Sequence, residues 1–395
     1  MKIGILTFHR PCNFGANLQA YTSSSYFQSL GHETYILNYV RETDYAYAKH
    51  INHLQYKEHK CFVETKLPIT REVNTANELR QLVIEKGIQL IVIGADAVWR
   101  NSQDNNIYFA QWVFEAPETS HIPVVSMSAA HMGNGFKNLS PNKQNAIKQC
   151  LDRFRCITVR DTWTRDVINR DIYNGENKIT LINPDPVVLL DIFNKEEWQN
   201  EGQSSKGYYL LSLNKNWSIG RMGKRRLEWF LKFKRIVNAS GYQLIELPIP
   251  EGTSGMPFDY SIPYPINPLQ WYLWIRNAKA YCGLRFHAIV SCISAGTPFF
   301  SVDSYGSTSK ITFLLTLLGF YKAAGQADKK SKIRNLLAGS GFESHRIDTY
   351  IENMPPARLF QKLENSDIED ILQLRDRYIS VFKKNMQNIL NDCNI

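Results

Sequence analysis

Four basic side chains in this 395-residue chain are of a type and in a setting to hold an anion: Arg160, Arg285, His287 and Lys310. Arg285 and His287 stand two apart in Gly283-Leu284-Arg285-Phe286-His287, with Ala278 to Cys282 reading as a buried strand ahead of them. Behind them Ala288 to Ala295 reads as a small-residue helix, stopped by Gly296 and barred by Pro298. A strand-to-helix turn offers an anion backbone N–H groups and the positive end of the helix. Arginine adds a planar two-pronged donor, and lysine adds a point charge. Histidine is the residue type that gives or takes a proton near neutrality, so the stretch suits a phosphorylated or carboxylated substrate and one proton transfer. Plainer readings compete: a His287 that only packs at a helix start, and an Arg160 that pairs at the surface with Asp161 or Asp166.

The elements that must position these residues alternate. Lys2 to Thr7 reads as a strand, Ala16 to Leu30 as a helix closed by Gly31, and Glu33 to Tyr39 as a second strand. This βαβ opening predicts parallel pairing and a crevice at the strand ends. Gly15 suits the tight turn before the helix but belongs to no G-x-G-x-x-G fingerprint. Three more apolar runs, Ile88 to Ile93, Pro123 to Met127 and Cys156 to Val159, each empty into small or polar residues, as buried parallel strands do. The last delivers Arg160, with Asp161 or Thr162 as cap for the next helix, and Asn183-Pro184-Asp185-Pro186 reads as a closing turn. Residues 41–75 read as a polar, aromatic surface insertion; its His50, His53, His59 and Cys61 match no standard ligand spacing, so no metal site is expected. Asn194 to Lys206 reads as a linker.

Beyond the linker, strands are expected over Tyr208 to Leu213, Tyr242 to Leu247 and Pro298 to Val302, and helices over Arg221 to Val237, Pro268 to Asn277 and Lys310 to Leu318. The first of these helices is basic, with Leu227, Phe230, Leu231, Phe233, Ile236 and Val237 taken as its apolar side. The loop over 248–268 is rich in Pro and Gly, and the final helix spans Asp367 to Leu390. The expected domains are therefore 1–200, 201–365 and a C-terminal helix over 366–395 that packs across them.

Composition narrows the class. At 44% hydrophobic and 12% aromatic the chain has the make-up of a globular protein. No apolar run approaches the ~18 residues of a membrane span. The start is too short an apolar run for a signal peptide, which leads us to expect the cytoplasm. Seven scattered cysteines without a Cys-x-x-Cys pair point to a reducing compartment and away from disulfide or thiolate–zinc frameworks. The net charge of +9 fits acidic metabolites, an anionic membrane or simple solubility; no nucleic-acid signature accompanies it. Walker loop, nucleophile elbow and His-Glu-x-x-His are all missing.

In order and spacing the motifs resemble the polysaccharide pyruvyl transferases, nearly end to end. Lys2 to Phe8 with Asn13-Phe14-Gly15-Ala16-Asn17 looks like the family's opening, and Gly94-Ala95-Asp96-Ala97-Val98-Trp99 is similar to its Gly-Ser-Asp-x-x-Trp element. Arg160-Asp161 and Asp185-Pro186 fall where the family has an Arg-Asp and an Asp-Pro pair; Arg285-Phe286-His287 matches Arg-x-His, and Tyr305 with Lys310 the segment after it. The resemblance implies an α/β, GT-B-like fold: two Rossmann-type domains with parallel sheets facing across a cleft. It implies a pyruvyltransferase that takes phosphoenolpyruvate as co-substrate, without a cofactor or metal, and builds a cyclic pyruvate ketal on a sugar of a surface or capsular polysaccharide precursor. Carried over, Arg160 and Arg285 would bind the donor with Phe286 and Lys310, and His287 would be general acid. Asn13, Gly15, Asn17 and Asp96 would line the acceptor side. Ala95 and Ala97 depart from the family's element, which bears on acceptor contacts. A lipid-linked oligosaccharide acceptor would give the basic helix a use as a peripheral contact at the inner face of the membrane. A GT-B glycosyltransferase using a nucleotide sugar and a non-catalytic glycan-binding scaffold are the alternatives.

Overall fold

The structure, a computed structural model, describes residues 1–41, 51–100, 107–133, 135–193, 207–217, 223–302, 331–348 and 350–393. The chain packs as two units: Met1–Lys49 with His59–Phe193 and Arg377–Ile395, and His50–Glu58 with Asn194–Asp376.

The first unit is built on β1 (Lys2–Leu6), β2 (Glu33–Ile36), β3 (Leu90–Ile93), β4 (Val124–Ala129), β5 (Cys156–Val159) and β6 (Leu181–Ile182). They form a six-stranded parallel sheet in the order β2-β1-β3-β4-β5-β6. β3 reads Leu-Ile-Val-Ile and is buried throughout, the signature of a strand covered on both faces. The helices that cover it carry their own stop and start signals. Asn13 caps Phe14–Ser29 by accepting from Gly15 and Ala16 N–H. Thr75 and Glu78 form a capping box on Ala76–Lys86, which Gly87 ends in the left-handed conformation. Strand order reverses between β1 and β3, so the crevice expected of such sheets opens where Leu6 and Ile93 hand the chain to loops.

The 41–75 segment is not a loose excursion. Its described part holds a helix, His53–Lys66, in which Gln55, His59, Phe62 and Val63 are buried. A glutamine and a histidine on the buried face hid the helical period, because they do not count as apolar. His53 and Cys61 are exposed while His59 is buried, and among the described residues no group of three His, Cys, Asp or Glu is placed for a metal.

The second unit is built on β7 (Tyr208–Ser212), β8 (Gln243–Glu246), β9 (Tyr260–Ser261), β10 (Ala280–Gly283), β11 (Phe299–Val302) and β12 (Arg346–Ile347), ordered β12-β11-β10-β7-β8-β9 and parallel. Counted from β7, this is the 3-2-1-4-5-6 order of the Rossmann fold, with its reversal between β7 and β10. Helix Gly223–Ala239 buries Trp229, Phe230, Phe233 and Val237 and exposes Lys224, Arg225, Lys232 and Arg235. Its inner face is turned from the expected one: Trp229, the largest side chain, is inside, while Leu227 and Leu231 are 38% and 43% exposed. The last helix runs Ile368–Asp392. The expected linker 194–206 and the Asp303-to-Leu318 turn and helix lie outside the described residues.

Candidate functional site

In the second unit the chain leaves β10 at Gly283, beside the reversal point. A Cβ at Gly283 would strike the Tyr281 hydroxyl and come within 2.9 Å of Ser212 Cβ, so the strand end can approach β7 only as glycine. The helix after it begins two residues earlier than the sequence suggests, at Phe286, and runs to Ala295 before Gly296 ends it at φ +71°. Arg285 is its N-cap with extended backbone, and among the described residues no side chain caps the first turn. The helix dipole sets its positive end at this turn. Phe286 and His287 are half-buried, their rings edge to face at 5.1 Å. The Arg285 side chain is 41% exposed and pairs with Glu251 at 3.0 Å. Lys332 Nζ stands 6.0 Å over the Phe286 ring. One accessible guanidinium, the positive end of a helix and an imidazole on its first turn make a cradle for a small dianion with an acid alongside.

The first unit presents a second cluster at the ends of β3, β4 and β5. Gly94 (φ +108°), Asp96 (φ +70°) and Ser128 (φ +52°) all adopt left-handed backbone, and the β4–β5 register shifts between Ser126 and Ala129. Strain at non-glycine residues such as Asp96 and Ser128 collects at functional positions. Here it turns the strand ends around Arg160, whose N–H donates to Ala129 O at 3.0 Å. Arg160 Nη1 donates to Asp185 at 2.9 Å and lies 3.6 Å from Asp96; the three side chains are 2%, 0% and 11% exposed. Burial works against the guanidinium's charge, but Asp185, then Asp96 and Asp161, outweigh it and push its pKa up. Asp161 instead caps helix Thr162–Asp171, accepting from Thr164 N–H at 2.7 Å.

The loop after β1 is held by amides. Gln19 donates to Thr7 Oγ1 at 2.9 Å and Phe8 O at 2.8 Å, while Thr7 donates to Ala95 O at 3.0 Å, tying the β1 and β3 loops together. The His9 ring faces Thr7 O and Asn38 Oδ1, both at 3.0 Å. Asn17 donates to His9 O at 2.6 Å and meets His59 Nδ1 at 2.5 Å. Burial holds the His59 pKa down at about 3, so His59 is neutral.

The structure thus gathers the sequence candidates into separate groups. Arg285, Phe286 and His287 form the cradle in the second unit. Arg160 and Asp96 meet at the β3–β5 ends of the first. Asn13, Gly15 and Asn17 shape the β1 loop, where Asn13 caps, Gly15 is buried on the first helical turn and Asn17 is fully buried. Lys310 and Tyr305 lie outside the described residues. Sequence reading missed Glu251 and Lys332, which sit in a Pro/Gly-rich loop and a short polar helix without a motif. It also missed His9, Gln19 and Asn38, polar residues whose only signal was their number around one strand end.

A family model described as polysaccharide pyruvyl transferase matches residues 13–305. Curated protein sequences yield no match. Among solved structures, a UDP-GlcNAc 2-epimerase from Methanocaldococcus jannaschii superposes with TM-score 0.53 at 10% identity, covering 97% of this chain and 100% of that one. An alpha-glucosyltransferase in complex with UDP and a 13-mer DNA containing a HMU base superposes with TM-score 0.50 at 12% identity, covering 100% of each. At these identities the likeness speaks for the fold alone, and that fold is GT-B-like: α/β, with two Rossmann-type units.

Proposed function

The chain belongs to the polysaccharide pyruvyl transferase family, and from that premise we propose that it moves the enolpyruvyl group of phosphoenolpyruvate onto a sugar of a surface-polysaccharide precursor as a cyclic ketal. The observation that carries the donor assignment is the helix start at Phe286, with Arg285 and His287 beside it at the reversal of a Rossmann-ordered sheet. Protonated His287 gives its proton to the methylene carbon of the enol phosphate, which becomes the methyl group. Positive charge develops at the neighbouring carbon, and a sugar hydroxyl bonds to it. The carbon–oxygen bond to phosphate breaks, and a second hydroxyl of the same sugar closes the ring. Of the two hydroxyl protons released, one restores His287 and the other leaves on the phosphate, so the proton count closes.

Arg285 and the positive end of the helix meet the charge of the departing phosphate in place, without reorganising. The single acid supplies roughly 10²–10⁴-fold, leaving the rest to orientation of both substrates. Arg160 and Lys310 are further donor residues in this reading, and Asn13, Gly15, Asn17 and Asp96 belong to the acceptor side. The exposed Lys224, Arg225, Lys232 and Arg235, with Leu227 and Leu231 among them, suit a peripheral contact with anionic lipid carrying a lipid-linked acceptor.

The test is mass spectrometry of sugar acceptors incubated with phosphoenolpyruvate, looking for the ketal mass gain with release of phosphate. His287→Gln is expected to lower turnover at least 10²-fold while still binding the donor. Phosphate release by this variant at the wild-type rate would overturn the mechanism, and binding without any turnover in the wild type would favour a scaffold. The Rossmann strand order of the second unit also suits a nucleotide sugar. Protection against heat by UDP-sugars and not by phosphoenolpyruvate would select that reading.

A further inference from the structure

A hollow of about 400 Å³ opens in the second unit beside helix Pro268–Arg276, and none of Arg285, Phe286, His287 or Glu251 lines it. Its walls are Tyr208, Tyr260 and Trp274, the amide side chains of Gln270 and Asn277, and a rim of Pro263, Pro265 and Ile266 with neighbouring aliphatics. We propose that it is a glycan subsite that takes an uncharged sugar ring of the acceptor chain, away from the ring that is pyruvylated. The proposal rests on the polysaccharide reading above and adds to it where the rest of the acceptor is held.

The chemistry of the lining selects the ligand. Among the described residues no charged side chain lines the hollow, so these residues give it nothing with which to fix the phosphate or carboxylate of the donor, or the diphosphate of a nucleotide. Its volume is within the roughly 300–1,000 Å³ of small-ligand sites. A pyranose has an apolar C–H face and a rim of hydroxyls, and needs a flat apolar ring beneath it and neutral hydrogen-bonding groups around it. Tyr260 and Trp274 are tilted 31° to each other with centroids at 6.2 Å, and Tyr260 is 45% exposed although it is aromatic. Tyr208 braces Trp274 from its edge at 5.4 Å and spends its hydroxyl on Trp274 O at 2.9 Å. Gln270 receives Asn267 N–H on its carbonyl oxygen, which leaves its NH₂ as donor, and Asn277 offers a second amide. An alkyl chain in the same hollow would cover these amides without pairing them, which is unfavourable.

The floor is fixed before any ligand arrives. Ile266 exchanges two backbone bonds with the Gln55 side chain, at 2.7 and 3.0 Å, and the Asn267–Gln270 capping box sets the helix start. The lining therefore owes little ordering entropy on binding.

Saturation-transfer NMR on β-1,4-galactotetraose, cellotetraose and chitotetraose, without phosphoenolpyruvate, tests the subsite apart from the reaction. Transfer to ring protons of at least one tetrasaccharide is expected, with at least fivefold loss in Tyr260→Ala and Trp274→Ala and none in Tyr260→Phe or His287→Gln. Because Tyr260 is half exposed, its variant keeps the fold; circular dichroism checks Trp274→Ala. Transfer that is absent for all three sugars, or that survives both alanine variants, sinks the proposal. A second arm reads acceptor kinetics: Trp274→Ala should raise KM about tenfold for a tetrasaccharide acceptor and leave kcat, and KM for the monosaccharide, unchanged. Ketal formation indifferent to Trp274 would remove the subsite and keep the enzyme. Glycan binding at Trp274 without any ketal would do the reverse.

Discussion

Arg160 and Arg285 each follow the end of a parallel strand, and burial gives them different work. Arg160 is fully enclosed and its charge is answered by Asp185 and Asp96. Removing one partner of such a pair leaves a bare buried charge, so Asp185→Ala is expected to cost about 3–5 kcal/mol, read by urea unfolding. A loss under ~1 kcal/mol would mean that water already reaches the pair. Arg285 is exposed, and its pairing with Glu251 contributes little, so Arg285→Ala should move stability by no more than ~1 kcal/mol. His59 supplies the pH term. Its folded pKa of about 3 lies below the ordinary histidine value near 6.5, so the unfolded chain takes up a proton that the folded chain refuses. Stability from this group is intact above pH 6.5 and falls as pH drops toward 3. The half-buried His345, also held low by its partial burial, acts in the same direction. His59→Gln keeps a neutral donor for Asn17, and its melting temperature should fall less steeply between pH 6 and 4 than that of the wild type. Equal slopes would show that His59 is not the group responsible.

Elements place the chemistry through backbone that side chains would obstruct. At Gly283 an added methyl meets Tyr281 and Ser212. Gly283→Ala is therefore expected to cost about 1–3 kcal/mol by overpacking and to tilt the helix start that carries Arg285 and His287. The check is a paired measurement: turnover should fall further than stability alone explains, and normal turnover in a folded Gly283→Ala protein would contradict the close approach. This glycine was legible in the sequence as part of a motif, but its reason was not, because Tyr281 and Ser212 reach it from two strands. The four-residue strands were legible for a simple cause: Leu90–Ile93 is an unbroken apolar run, and Phe299–Val302 is interrupted only by Ser301. The two-residue strands β6, β9 and β12 were not, since two residues carry no period. The helix start moved for a related reason. Arg285, Phe286 and His287 look like a loop by composition, yet Phe286 and His287 sit on the first turn, with Ala288 to Ser294 buried behind them. The Arg160–Asp96–Asp185 cluster escaped in the same way, as its members come from two separate strand ends and a turn, and only the fold brings them together.

At the scale of the molecule, binding and turnover can be separated by linkage. A ligand that binds only the folded chain stabilises it by RT ln(1 + [L]/Kd), about 2.7 kcal/mol at a hundredfold excess over Kd. If the cradle at Arg285 holds phosphoenolpyruvate, thermal unfolding should shift upward with phosphoenolpyruvate and not with UDP-galactose. The net charge of +9 assists the approach of a multiply charged anion, so the shift should shrink between 0.05 and 0.5 M salt as screening shortens from about 14 to about 4 Å. Three proteins then discriminate. The wild type shifts, Arg285→Ala loses the shift while its unliganded melting point stays near the wild-type value, and His287→Gln keeps the shift but not the turnover. A shift that survives Arg285→Ala in full would move the donor to another cation. A shift lost in His287→Gln would make the imidazole a binding group first and an acid second, since a mere proton donor contributes only once the enol phosphate is already held.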